Sequence, residues 1–230
     1  MVSTFALVHG AWHGPWCWER LTPELERRGH RVITVDVRFD DPAATFEDHA
    51  TTFAAAVQDC DEDVVAVGHS LGSFAFPWIA ERRPVRHLVY LCGLVAEPGR
   101  TCAELDREQG ILNPGYRAGL AKVGGGTRWA DLELAREVFY SDCDDDVVEA
   151  AIPRLRTQAV RPMTQRCPYD RLPAVPATSV VCAADRMVDP AWSRRVAAEI
   201  LDAPVVELPG GHSPFYSRPS ELAEVLHGVL

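Results

Sequence analysis

With 230 residues the chain suffices for one domain with a sizeable core, and an apolar share of 47% beside 24% charged residues excludes a disordered or fibrous polymer. A formal charge of -10 without any Lys or Arg cluster argues against a phosphate-binding stripe, so no nucleic-acid partner is expected. Apolar runs such as Val2–Leu7 and Val175–Ala184 fall short of the ~20 residues that cross a bilayer, which leaves no membrane partner to expect.

In chain order, β-branched runs bounded by turn residues mark strands at Thr4–Val8, Arg31–Val35, Val64–Gly68, Arg86–Leu91, Thr178–Ala183 and Val205–Leu208. Amphipathic helix patterns lie between and after them at Trp16–Arg28, Phe46–Cys60, Leu71–Arg82, Pro190–Leu201 and Pro219–Val229. Alternation of this kind predicts an α/β fold: a six-stranded parallel sheet in the order 2-1-3-4-5-6 with helices on both faces. The rhythm breaks between residues 94 and 172, where Asp131–Tyr140 and Asp145–Leu155 read as helices without a convincing strand. This stretch is expected to be a helical cap inserted into a core formed by residues 1–93 and 173–230. Gly124-Gly125-Gly126 and Pro114-Gly115 are read either as a flexible connection under a moving lid or as plain loop.

The most informative local pattern is Gly68-His69-Ser70-Leu71-Gly72, directly after a strand and directly before a helix. A serine on such a turn is exposed above the sheet, and small flanking residues let the backbone reverse without Cβ clashes. The following helix leaves the Leu71 N–H free to stabilise an oxyanion. Attack by serine at neutral pH needs a histidine base, and that histidine needs an acid to orient it. Asp185, at the tip of the strand ending at Ala183, and His212, in the turn Pro209-Gly210-Gly211-His212, meet both needs in the chain order acid, then histidine. Asp189, just before Pro190, suits a helix N-cap better. His69 is expected to pack beside the nucleophile rather than act.

The first strand runs into His9-Gly10-Ala11-Trp12-His13-Gly14-Pro15-Trp16-Cys17-Trp18, at the same sheet edge as Ser70. The Ala11 N–H is the expected second oxyanion donor. Trp16 and Trp18 read as core at a helix start, Trp12 as pocket wall, and His13 as either a turn-stabilising or a substrate-contacting group. Tyr116, Trp129, Phe139 and Tyr140 suggest an apolar, partly aromatic pocket under the cap, with ordinary packing inside the cap as the competing account. Asp142 and Asp144–Asp146 read as helix-terminal acids rather than metal ligands. The seven cysteines are scattered without C-x-x-C spacing, so neither a zinc site nor a disulfide framework is expected.

Together, HGAWHGPWCW, VGHSLGS, AADRMVDP and PGGHSPF resemble the α/β-hydrolase superfamily, and within it the branch of plant methylesterases, hydroxynitrile lyases and bacterial esterases. The matching blocks run from Val2 to about Leu91 and from Thr178 to Leu230, and the cap matches only loosely. The resemblance implies hydrolysis of a small carboxylic ester through an acyl-enzyme on Ser70, with Asp185 and His212 completing the triad and Ala11 and Leu71 as oxyanion donors. No cofactor and no metal are implied. Lyases of that branch typically carry a threonine where this chain has Gly10 and a lysine where it has Ser213, which favours an esterase. A lyase-like, acyl-transfer or cyclisation use of the same triad stays open, as does a small-molecule binding protein on the same fold. The expected partner is a small ester, a homodimer is left open, and a start without basic leader or cleavage site makes a cytoplasmic location the default.

Overall fold

The computed structural model describes residues 2–60 and 63–229. Strands β1 (Thr4–Val8), β2 (Arg31–Val35), β3 (Val64–His69) and β4 (His87–Leu91) form the first part of the core sheet. Next come β5 (Leu120–Val123), β6 (Gly126–Trp129) and β7 (Gln158–Ala159) within the inserted segment, then β8 (Ala177–Cys182) and β9 (Val205–Leu208). The core sheet has the order β2-β1-β3-β4-β8-β9, with every pair parallel. This is the predicted 2-1-3-4-5-6 arrangement once the inserted strands are set aside.

Parallel strands covered on both faces carry near-continuous apolar runs. Phe5, Ala6, Leu7, Val8 and Val64–Val67 accordingly have no solvent exposure. Thr45 caps the helix Phe46–Ala56 through a reciprocal capping box with Asp48, which fixes where the chain leaves its loop. The pattern predicted an unbroken helix over Leu71–Arg82, whereas the structure divides it into Leu71–Phe74 and Phe76–Arg82. Pro77 has no N–H for the carbonyl four residues earlier and its ring crowds that carbonyl, so the first turn cannot propagate.

The inserted segment corrects the expectation of a helical cap. It contains the helices Cys102–Gln109, Leu132–Phe139 and Asp145–Ala151, but also a three-stranded antiparallel sheet in the order β5-β6-β7. Gly124-Gly125 is the tip of the β5–β6 hairpin, and Gly126 is a strand residue. Gly126 is needed for close approach: a Cβ there would stand 2.2 Å from the Gln158 carbonyl oxygen of β7. These strands are two to four residues long, mix apolar with polar residues, and are too short to display a period-two pattern. Among the described residues, no helix is long and apolar enough to cross a membrane.

The order reverses at β1, which has β2 on one side and β3 on the other. Open α/β sheets bind ligands beyond the carboxyl ends of strands at such a switch point. Val8 of β1 is in register with Gly68 of β3, so the loop after Val8 and the turn at Ser70 emerge side by side.

Candidate active site

Ser70 follows β3 with φ 51° and ψ -122°, a conformation that costs a non-glycine residue on the order of 1–3 kcal/mol. Its neighbours explain how the turn is tolerated. A Cβ on Gly68 would lie 2.5 Å from Ser73 Cα, and one on Gly72 would lie 2.5 Å from the His9 carbonyl oxygen. The Ser70 carbonyl accepts from the Ser73 hydroxyl at 2.8 Å and from the Leu94 N–H at 3.0 Å, which ties the turn to the next strand's exit. The serine itself is 6% exposed.

Asp185 lies just beyond β8 and His212 beyond β9, on the same sheet edge. His212 Nδ1 donates to Asp185 Oδ2 at 2.8 Å, with both side chains almost completely buried. The other carboxylate oxygen accepts from the N–H groups of Met187 (2.7 Å) and Val188 (3.0 Å), so the acid cannot rotate away. Because a carboxylate only accepts, the proton sits on Nδ1 and Nε2 carries a lone pair. Nε2 is buried and has no partner among the described residues. Asp189, by contrast, caps the helix Pro190–Val196 by accepting from the Ala191 N–H.

A single peptide orients the Ala11 N–H. The Gly10 carbonyl accepts from His9 Nδ1 at 2.9 Å and from the His13 N–H at 3.4 Å. In a trans peptide the N–H points opposite to the carbonyl, so the Ala11 N–H turns the other way. Neither this N–H nor that of Leu71 has an acceptor among the described residues, and both residues line the same cavity as Ser70 and His212.

His13 resolves to the turn-stabilising alternative. Its Nδ1 donates to the Ala11 carbonyl and its Nε2 accepts from the Tyr140 hydroxyl, both at 2.8 Å, leaving no nitrogen for a substrate. Burial pushes its pKa down to about 3, against a smaller upward pull from the Ala11 carbonyl. His69 donates through Nε2 to the His212 carbonyl at 2.9 Å. Burial, and next the adjacent His212, hold its pKa well below the ordinary value. Both therefore stay neutral beside His212.

The cavity measures about 380 Å³ and is mostly apolar. Of the six aromatic and histidine candidates, Trp12, Tyr116 and Phe139 line it. His13, Trp129 and Tyr140 do not, which corrects the sequence expectation. Trp129 packs behind Trp12 with ring centroids 5.6 Å apart, and Tyr140 is consumed by its bond to His13. Trp12 adopts φ 59° and is fastened to the cap: Nε1 donates to Thr127, its N–H to Gln158, and its carbonyl accepts from the Arg156 N–H. Sequence reasoning missed the wall formed by Lys122, Thr127, Gln158, Met163 and Met187. Cys92 Sγ lies with Asp185 and His212 in a group of ligand atoms within 4.8 Å of one another. The Cys182 thiol beside it and burial raise the Cys92 pKa strongly, and His212 Nδ1 is already bonded to Asp185. A metal there would need a thiolate and would displace the Asp–His bond, so the group is a poor fit for one.

A parallel sheet with a strained serine at the switch point, lining one cavity with a carboxylate-bound histidine under an inserted cap, defines an α/β-hydrolase-type protein. The chain belongs to the Alpha/beta hydrolase family, whose sequence profile matches residues 5–225. It is 28% identical to the pyrethroid hydrolase of Sphingobium wenxiniae over 98% of this chain and 86% of that protein. It is also 28% identical to the pheophorbidase of Raphanus sativus, covering 96% of this chain and 91% of that one. The crystal structure of a pyrethroid hydrolase from Sphingobium faniae JZ-2 superposes with a TM-score of 0.85 at 26% identity, covering 99% and 97% of the two chains.

Proposed function

We propose that the chain hydrolyses small carboxylic esters in two steps through an acyl-enzyme on Ser70. The chain is a serine ester hydrolase in reaction class, in keeping with relatives named pyrethroid hydrolase, pheophorbidase and methylesterase. The observation that carries the residue-level reading is the buried Asp185–His212 bond, with Nε2 unpartnered among the described residues and His212 lining the same cavity as Ser70.

In the first step His212 Nε2 takes the Ser70 proton as Oγ bonds to the ester carbonyl carbon. Negative charge gathers on the carbonyl oxygen, and the N–H groups of Ala11 and Leu71 stabilise it. The imidazolium then protonates the departing alkoxide, leaving an alcohol and the acyl-serine. In the second step water repeats the attack, His212 again removes and returns a proton, and the acid is released. Asp185 holds His212 Nδ1 throughout, fixing the tautomer and stabilising the imidazolium.

Cavity size sets the expected substrate range. With 4-nitrophenyl esters, acetate and butyrate should be hydrolysed at least about tenfold more efficiently than chains beyond ~C10, because a cavity of about 380 Å³ lies at the small end of drug-sized sites. Comparing kcat/KM from acetate to laurate tests this. A maximum at laurate would contradict a small pocket, and a folded protein inert to every ester would contradict hydrolysis itself.

A further inference from the structure

Lys122 is the only lysine among 23 basic residues, and it lines the cavity that holds Ser70. It belongs to β5, opposite Thr127 of β6, and directly opposed residues of an antiparallel pair share a face. Leu120, two residues earlier, shares that face and also lines the cavity. The hairpin thus presents Leu120, Lys122 and Thr127 to the substrate space.

Two features set this ammonium apart. Arg117 also lines the cavity, but it is spent on Asp106 at 2.7 Å, whereas Lys122 has no anionic partner among the described residues. Among the described residues, no Asp or Glu lines the cavity to serve as one. Beside it, the Thr127 hydroxyl accepts from Trp12 Nε1 and keeps its own hydrogen undirected among the described residues. An exposed cation and a hydroxyl donor in one cross-strand pair, lining a mostly apolar cavity, match a carboxylate. The protein as a whole, at -10, repels anions, so the local cation is an exception to the global field.

We propose that Lys122 and Thr127 recognise a carboxylate carried by the substrate away from its scissile bond, so that the preferred substrates are acidic esters. The proposal rests on the ester-hydrolase reading and names the substrate class for the same site. The Ser70 machinery treats the ester, and the cap hairpin selects its charged end.

The test uses two matched pairs: mono-4-nitrophenyl glutarate against 4-nitrophenyl butyrate, and 4-acetoxybenzoate against phenyl acetate. The first carries the charge on the acyl side and the second on the alcohol side. The readout is the charged-to-neutral ratio of kcat/KM, in which any general loss of folding or catalysis cancels. In at least one pair the wild type should favour the charged ester. Lys122→Met should lower that ratio about tenfold, the scale of a charge-assisted hydrogen bond, and Lys122→Arg should restore most of it. Rising salt should weaken the wild-type preference. Hydrolysis of the neutral esters with a ratio that Lys122→Met leaves unchanged in both pairs overturns the carboxylate proposal and leaves the hydrolase reading standing. A folded wild type inert to all four esters overturns both.

Discussion

Ser70→Ala should lower kcat/KM on 4-nitrophenyl butyrate by about 10³-fold or more while leaving the circular dichroism spectrum unchanged. Alanine keeps the backbone Cβ that the φ 51° turn already accommodates, so only the hydroxyl is lost. Asp185→Asn should fall by a similar ~10³–10⁴-fold for a different reason. An amide can donate where the carboxylate only accepted, which favours the wrong tautomer and puts the proton on the nitrogen that must act as base. The groups act as one unit, so Ser70→Ala combined with His212→Ala should be scarcely slower than Ser70→Ala alone. Additive losses would contradict a shared mechanism.

Acid should weaken the fold through histidines that burial keeps neutral. His49 is 1% exposed, ringed by Phe39 and Phe46 at centroid distances of 4.8 and 5.7 Å. Burial lowers its pKa to about 4, although Asp48, Asp41 and Glu47 pull modestly upward. His13, at about 3, behaves alike. A folded-state pKa below the unfolded value means that the unfolded chain binds more protons as the pH falls below about 6.5. Stability therefore rises with pH across this window and is lost on acidification, by roughly 1.4 kcal/mol per pH unit for each fully engaged group. His49→Phe removes one such group and an unpartnered buried Nε2, in a cluster where a phenyl ring fits. Urea unfolding at pH 7 and pH 5 should show the variant losing about 2 kcal/mol less than the wild type between the two. Equal losses would mean that His49 titrates normally in the folded state.

The core sheet was legible because its strands are short, mostly apolar or β-branched runs flanked by turn residues, and because the central parallel strands, buried on both faces, carry no competing pattern. Ser70, Asp185 and His212 could be named because each follows a recognisable strand, which puts all three at one edge. His13 could not be settled, since its role depends on Tyr140, 127 residues away. The cap strands escaped notice for want of length, and Lys122 and Thr127 with them. Alternation over four residues around a glycine run does not stand out from loop. The one available signal was compositional: a lone lysine in an arginine-rich chain. Trp129 and Tyr140 illustrate the opposite limit, since aromatic residues in a cap are as readily packed behind a wall as placed in it.

The most direct test of the central claim is covalent labelling with a fluorophosphonate, followed by peptide mass spectrometry. A serine activated by His212 should form a single adduct on Ser70, absent from Ser70→Ala and much slower to form in His212→Ala. A folded protein that takes up no label, or takes it up at another residue, would contradict Ser70 as the nucleophile and with it the acyl-enzyme mechanism.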